Sequence, residues 1–180
     1  MKTNGWAALA CLMVAASPLC MNAQRPPAKA AAPKADSASA ATYVPVRDYD
    51  PARDAARDID EAVAEARRTG KRVLVEVGGK WCSWCHTMHR FYEENRELLE
   101  LREKNYINVV VNFSPENQNE KALSRYPKLE GYPHLFVLDA NGKLLRSQNT
   151  SELEEGESYN LKRFMAFLNQ WAPGGPHKSR

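Results

Sequence analysis

The residues most able to do chemistry in this sequence are two cysteines three positions apart, in the segment Cys82-Ser83-Trp84-Cys85. The segment follows an apolar run that predicts a strand, and it begins a stretch that predicts a helix. A thiolate at the start of a helix is stabilised by unpaired backbone N–H groups and by the positive end of the helix dipole. The spacing therefore supplies a nucleophile, Cys82, and a second thiol, Cys85, within reach to resolve a mixed disulfide.

The elements that must position this pair alternate between strands and helices. A first helix is predicted from Asp50 and Pro51 to Gly70, because Asp caps a helix, Pro fits its first turn and Gly ends it. Hydrophobic periodicity predicts the rest: strands over 72–77, 106–113, 134–139 and 143–147, and helices over 82–104, 115–125 and 160–171. An Asn-Gly pair predicts a hairpin turn between the last two strands, and the polar segment 148–158 is predicted to be a surface loop. This order predicts an α/β fold with a central mixed β-sheet flanked by helices on both faces.

The segment VLVEVGGKWCSWC resembles the active-site segment of the thioredoxin superfamily, and is similar to its protein disulfide isomerase and periplasmic thioredoxin-like branches. Trp81 stands immediately before the first cysteine, and Glu76 stands six residues before it. Tyr132 and Pro133 lie about fifty residues farther on, just before a predicted strand. The resemblance covers about residues 54–171 and implies a thioredoxin-like fold.

The resemblance also implies catalytic roles for three residues. Cys82 would attack a substrate disulfide, Cys85 would resolve the mixed disulfide, and Glu76 would be a buried acid that relays a proton to Cys85. A buried carboxyl can take up a proton near neutral pH, whereas the alternative is an exposed Glu at the edge of the sheet. Two departures from the family pattern, Ser-Trp between the cysteines and Gly-Gly-Lys over 78–80, leave the direction of electron transfer open.

Four further residues are implied to bind the substrate. Pro133 would follow a cis peptide bond beside the disulfide, and the Tyr132 backbone would pair with an extended peptide. An ordinary trans proline is the alternative, because few X–Pro bonds in folded proteins are cis. Trp81 and Trp84 would form an apolar rim for the substrate, unless Trp84 simply packs against a neighbouring loop.

Two histidines follow the cysteines on the same predicted helix. His86 lies four residues after Cys82 and would, when protonated, favour the Cys82 thiolate; the alternative is a histidine that faces solvent. His89 lies four residues after Cys85 and is interpreted as a packed core residue. A zinc site made of the two cysteines and two histidines is disfavoured, because one helix cannot easily point four such ligands at one metal. We therefore predict no metal site.

Taken together, these residues predict a thiol–disulfide oxidoreductase that acts on protein thiols and disulfides and exchanges electrons with a redox partner protein. No dissociable cofactor is implied. One alternative is a redox-inert thioredoxin-like binding module whose disulfide is structural. A second is a c-type haem protein, because Cys82-x-x-Cys85-His86 is also the haem attachment pattern, although the strand before the motif is atypical of small haem proteins.

The N-terminus has the pattern of a secretory signal peptide, with Lys2 followed by an apolar run and then small residues. Cleavage is expected after Ala23, with Ala16 as a second option and a lipoprotein signal ending at Cys11 as a third. We predict a signal peptide over 1–23, a disordered Ala/Pro-rich linker over 24–42, the thioredoxin-like domain over 43–173 and a disordered tail over 174–180. The protein would then be periplasmic or secreted. Cleavage after Ala23 would leave only Cys82 and Cys85 of the four cysteines.

Composition excludes several other classes of protein. The chain has 180 residues, 25 Lys and Arg against 22 Asp and Glu, and a net charge of +3, which is too small to indicate nucleic-acid binding. No stretch of 18 apolar residues is present, so no membrane span is expected. The size fits one ordinary domain with tails, and we expect a monomer.

Overall fold

A four-stranded sheet with helices on both faces forms the core of the computed structural model, which describes residues 43–176. The helices are α1 (Ala55–Thr69), α2 (Ser83–Glu94), α3 (Arg96–Asn105), α4 (Glu120–Leu123) and α5 (Leu161–Gln170). The strands are β1 (Arg72–Gly78), β2 (Tyr106–Asn112), β3 (His134–Leu138), β4 (Leu144–Asn149), β5 (Glu154–Glu155) and β6 (Ser158–Tyr159), with a 3-10 turn over Thr150–Leu153.

The sheet is mixed, with the strand order β2-β1-β3-β4. Strand β1 pairs in parallel with β2 and antiparallel with β3, and β3 and β4 form an antiparallel hairpin. This arrangement confirms the predicted α/β architecture. It also makes β1 an interior strand, in which Glu76 lies between Val110 on one side and Leu135 on the other.

The alternating side chains of β1 enter two separate cores. Val73, Val75 and Val77 pack with α1 on one face of the sheet. Leu74 packs on the other face with residues of α2, α3 and α5. Because successive side chains of a strand point to opposite faces, Glu76 shares the face of Leu74 and points toward α2, the helix that follows the cysteines.

Helix α1 begins later than the sequence predicted. Asp50 accepts a hydrogen bond from the Ala52 N–H in a turn, and the helix starts only after Asp54, whose carboxylate caps it through the N–H groups of Ala56 and Arg57. Gly70 ends the helix as predicted, with a φ of 70° that suits glycine. The helix predicted over 115–125 is likewise shorter, because only the four residues of α4 are helical.

The long helix predicted over 82–104 is in fact two helices. Asn95 has φ −117° and ψ 81°, outside the helical region, and its side chain donates to the Phe91 carbonyl. A new helix begins at once, because the N–H groups of Leu98 and Leu99 both donate to the Asn95 carbonyl. The prediction of one helix was wrong because the hydrophobic periodicity continues across the break, whereas the side chain of Asn95 competes for the backbone.

The segment 148–158 is partly buried rather than a simple surface loop. Gln148 and Thr150 are both buried, and the Thr150 hydroxyl donates to the Pro133 carbonyl at 2.5 Å. Strands β5 and β6 then form a two-residue hairpin that packs against α2. The segment therefore supports the loop that carries Pro133.

Within residues 43–176, no helix is long and apolar enough to cross a membrane. The predicted signal peptide and linker, and residues 177–180 of the predicted tail, lie outside the described residues.

Proline substitutions test the break at Asn95. Pro is tolerated at the first position of a helix, so Arg96→Pro should leave the free energy of unfolding almost unchanged. Arg90→Pro, in the middle of α2, should lower it by about 3 kcal/mol or more, because the ring removes a helical hydrogen bond and clashes with the preceding turn. Both values can be measured by denaturant unfolding. Equal losses for the two variants would mean that one helix runs through residue 96.

Candidate active site

The two cysteines form a disulfide at the start of α2. Their Cα atoms are 5.2 Å apart, and Cys82 is the residue that caps the helix, its sulfur accepting from the Cys85 N–H at 3.1 Å. Cys82 is 4% exposed and Cys85 is completely buried. An approaching sulfur atom therefore meets Cys82 first, and Cys85 lies behind it.

Gly78, at the end of β1, allows the disulfide to lie directly against the strand. A Cβ atom at this position would collide with the Cys85 sulfur and would lie 2.9 Å from the Tyr49 hydroxyl. Any larger residue would have to displace one of these groups, since core packing leaves little free space. Gly78 thus brings the disulfide, the strand and Tyr49 together at one point.

Glu76 lies behind the disulfide as a buried carboxylate with two partners. The side chain is 6% exposed, so the alternative of an exposed edge residue is wrong. The Tyr49 hydroxyl donates to Oε1 of Glu76, and His89 Nε2 lies 2.7 Å from the same oxygen. A buried charge is costly unless it is paired and hydrogen-bonded, and these two side chains supply that pairing.

Sequence reasoning missed the roles of Tyr49 and His89. Their rings stack in parallel, with centroids 5.7 Å apart. The hydrogen bond to Glu76 raises the pKa of His89, while burial and the charge of Glu76 raise the pKa of Tyr49 far above its ordinary value. The position of His89, one turn after Cys85 on the same helix face, could have indicated that it lies near the site. No local sequence pattern predicts the contact between Tyr49 and Glu76.

Two aromatic side chains, Trp81 and Tyr132, lie near the disulfide at the protein surface. The Tyr132–Pro133 peptide bond is cis, and Tyr132 packs against the cluster that contains both cysteines. Trp81 is 55% exposed, donates from Nε1 to the Phe113 carbonyl at 2.7 Å and meets Tyr132 edge-on at 5.2 Å. The structure therefore brings together Trp81, Tyr132 and Pro133, three of the four predicted substrate-binding residues.

Trp84 turns to a different neighbour. Its ring packs edge-on against Tyr159 of β6 at 5.5 Å, and the Tyr159 hydroxyl donates to the Trp84 carbonyl at 3.4 Å. Trp84 is partly buried and also contacts the cluster that contains both cysteines. A contact between Trp84 and substrate stays a prediction.

His86 is exposed, and its Nε2 lies 2.8 Å from the Lys80 carbonyl, on the chain just before the cysteines. Its predicted influence on the Cys82 thiolate stays a prediction. Among residues 43–176, no group of three or more His, Cys, Asp or Glu side chains is arranged to hold a metal ion.

This geometry is suited to thiol–disulfide exchange. A helix start stabilises a thiolate on the outer cysteine, and a buried carboxylate with a histidine neighbour can accept a proton from the inner one. The exposed aromatic surface beside the outer sulfur offers a place for another chain to lie.

Comparisons with known proteins agree with this description of the fold. The profile of a family described as thioredoxin-like matches residues 54–140. A search of curated proteins found no match.

One solved structure shows the same fold, and two others are less similar. A disulphide isomerase from Xylella fastidiosa Temecula1 matches with a TM-score of 0.57 and 23% identity, over 71% of this chain and 96% of that one. The C-terminal domain of DsbD from Neisseria meningitidis, in its oxidised form, has a TM-score of 0.48 and 18% identity, over 64% and 94% of the two chains. A poplar thioredoxin h has a TM-score of 0.39 and 24% identity, over 61% and 87%. The thioredoxin-like profile over residues 54–140, the mixed sheet and the disulfide at the start of α2 lead to one conclusion: the described part of this chain has a thioredoxin-like fold and resembles the thioredoxin superfamily.

Proposed function

We propose that this protein is a thiol–disulfide oxidoreductase that exchanges disulfides with protein substrates through Cys82 and Cys85. The observation that carries the proposal is the position of the disulfide, with Cys82 at the start of α2 and Cys85 completely buried near Tyr49, whose hydroxyl donates to the buried Glu76. A purely structural disulfide needs neither a helix start under its outer sulfur nor a buried carboxylate behind its inner one. Redox partner proteins would restore the active form after each turnover.

In the reducing direction, the Cys82 thiolate attacks one sulfur of a substrate disulfide. A bond forms between Cys82 and that sulfur, and the other substrate sulfur leaves as a thiolate. Cys85 then loses its proton and attacks the Cys82 sulfur, which forms the Cys82–Cys85 disulfide and releases the second substrate thiolate. Two electrons pass from the cysteine pair to the substrate. The same steps in reverse oxidise a substrate dithiol.

Substrates would bind to a surface formed by Trp81, Tyr132 and the loop that ends at Pro133, called the substrate surface below. Trp81 offers exposed apolar area, and aromatic side chains bind well because they bury a large surface at little cost in conformational entropy. The backbone of Tyr132 would pair with an extended peptide segment. The substrates would therefore be extended or locally unfolded chains with a disulfide or a pair of thiols.

The protein would act outside the cytoplasm, because residues 1–23 have the pattern of a signal peptide. N-terminal sequencing of the protein from fractionated cells tests this assignment. A periplasmic or secreted chain that begins at Gln24 is the expected result. A cytoplasmic chain that retains Met1 to Ala23 would contradict it.

Single cysteine variants test the mechanism. Cys82→Ser should abolish turnover of a protein disulfide such as that of insulin, because the attacking thiolate is lost. Cys85→Ser should retain the first attack and accumulate a covalent mixed disulfide, visible by mass spectrometry and removed by dithiothreitol. Arg90→Gln, on the exposed side of α2, serves as a control and should keep full activity. Full reductase activity in Cys82→Ser would show that the mechanism is wrong.

A further inference from the structure

Cys85 must lose a proton during turnover, although the structure gives it no contact with solvent. Its side chain is completely buried, and Cys82 stands between it and the substrate surface. A docked substrate would cover that surface further. The proton therefore needs a path through the interior of the protein.

Tyr49 is the first group on such a path. It is buried in one cluster with both cysteines, and its hydroxyl and the Cys85 sulfur both lie next to Gly78, where an added Cβ atom would meet each of them. The hydroxyl donates to Oε1 of Glu76. Because its pKa is raised, Tyr49 does not ionise; it can only pass a proton on while it takes up another.

His89 connects Glu76 to a cavity that solvent can enter. Its ring lies 2.7 Å from the same carboxylate oxygen, and its side chain is 32% exposed. Both Glu76 and His89 line a cavity of about 650 Å³ between α2, α3, β2 and the segment before α1. The exposed residues Arg47 and Glu103 also line it, so solvent has access.

The cavity is separate from the substrate surface. Neither cysteine lines it, nor do the aromatic residues of the substrate surface, Trp81 and Tyr132. A peptide docked on the disulfide would therefore leave the cavity open to water.

We infer that Tyr49 and His89 carry the Cys85 proton, by way of Glu76, to this cavity during resolution of the mixed disulfide. The inference rests on the proposed function. As Cys85 gives up its proton, Tyr49 accepts it and passes its own proton to Glu76. The charge of Glu76 favours the protonated ring of His89, so when the arriving proton neutralises that charge, His89 releases a proton to water in the cavity. One proton enters the path and one leaves it, while the electron pair of Cys85 forms the new S–S bond.

Groups around His89 shift its pKa upward, which favours the protonated ring. The hydrogen bond with Glu76 is the largest influence that raises the pKa of His89, and the charges of Glu76 and Glu93 add to it. Burial and the charge of Arg102 oppose this shift without reversing it. The titratable and charged groups that face Glu76 or His89 are Tyr49 before α1, Tyr92 and Glu93 on α2, Arg102 on α3 and Tyr159 on β6.

The experiment separates the two chemical steps with dithiobis(nitrobenzoate). Reduced protein releases a first coloured thiolate when Cys82 attacks and a second when Cys85 resolves the mixed disulfide. His89→Gln keeps a hydrogen-bond donor but cannot titrate, so the second release should slow at least about tenfold at pH 7, as expected for loss of an acid–base group. The first release should change less than about twofold. Above about pH 9.5, where a thiol ionises unaided, the two proteins should react at similar rates.

Tyr49→Phe provides an independent test, because it keeps the ring and removes only the hydroxyl. It should show the same selective loss in the second release, and Arg90→Gln should match the wild type in both. The inference is overturned if the second release has the same pH profile in wild type and both variants, or if the two releases slow equally. If the wild type shows both releases but does not exchange disulfides with any protein, the proposed function fails and the proton path stands.

Discussion

The hydrogen bonds on the buried carboxylate of Glu76 are the constraint on which the site depends. A carboxylate in the middle of a sheet is unfavourable by several kcal/mol unless it is paired. Its two partners come from separate parts of the chain, Tyr49 before α1 and His89 on α2. The segment before α1 reaches the sheet through a bridge between Val46 and Val109, whose neighbour Val110 donates to the Val46 carbonyl. That segment is therefore an integral part of the domain.

The disulfide lies between two surfaces with different chemistry. On one side are Trp81 and Tyr132, which are aromatic and suited to another polypeptide. On the other side are Glu76 and His89, which are ionisable and border a cavity that solvent can enter. Gly78 allows the inner sulfur to approach the polar side closely. In the proposed mechanism electrons and protons would therefore have separate routes: sulfur atoms would exchange electrons at the outer surface, while the proton of the inner thiol would leave through the interior.

Local sequence signals predicted the four strands of the main sheet and the face on which Glu76 lies, but not the short strands β5 and β6. Alternation in RVLVEV was enough, because a period of two assigns each side chain of β1 to one face. The break at Asn95 was not predictable, because hydrophobic periodicity runs through it and a side-chain hydrogen bond decides it. Tyr49 was missed for another reason: its contact with Glu76 spans 27 positions of sequence and has no periodic signature. His89 could have been found by asking which face of α2 points toward Glu76.

The proposed function requires that the Cys82–Cys85 pair cycle between disulfide and dithiol. The most direct measurement is its reduction potential, obtained by equilibrating the protein with defined ratios of reduced and oxidised dithiothreitol or glutathione. A couple that exchanges electrons with other proteins should have a potential above about −300 mV, as redox-active cysteine pairs do. A potential well below about −300 mV would mark a structural disulfide and contradict the account.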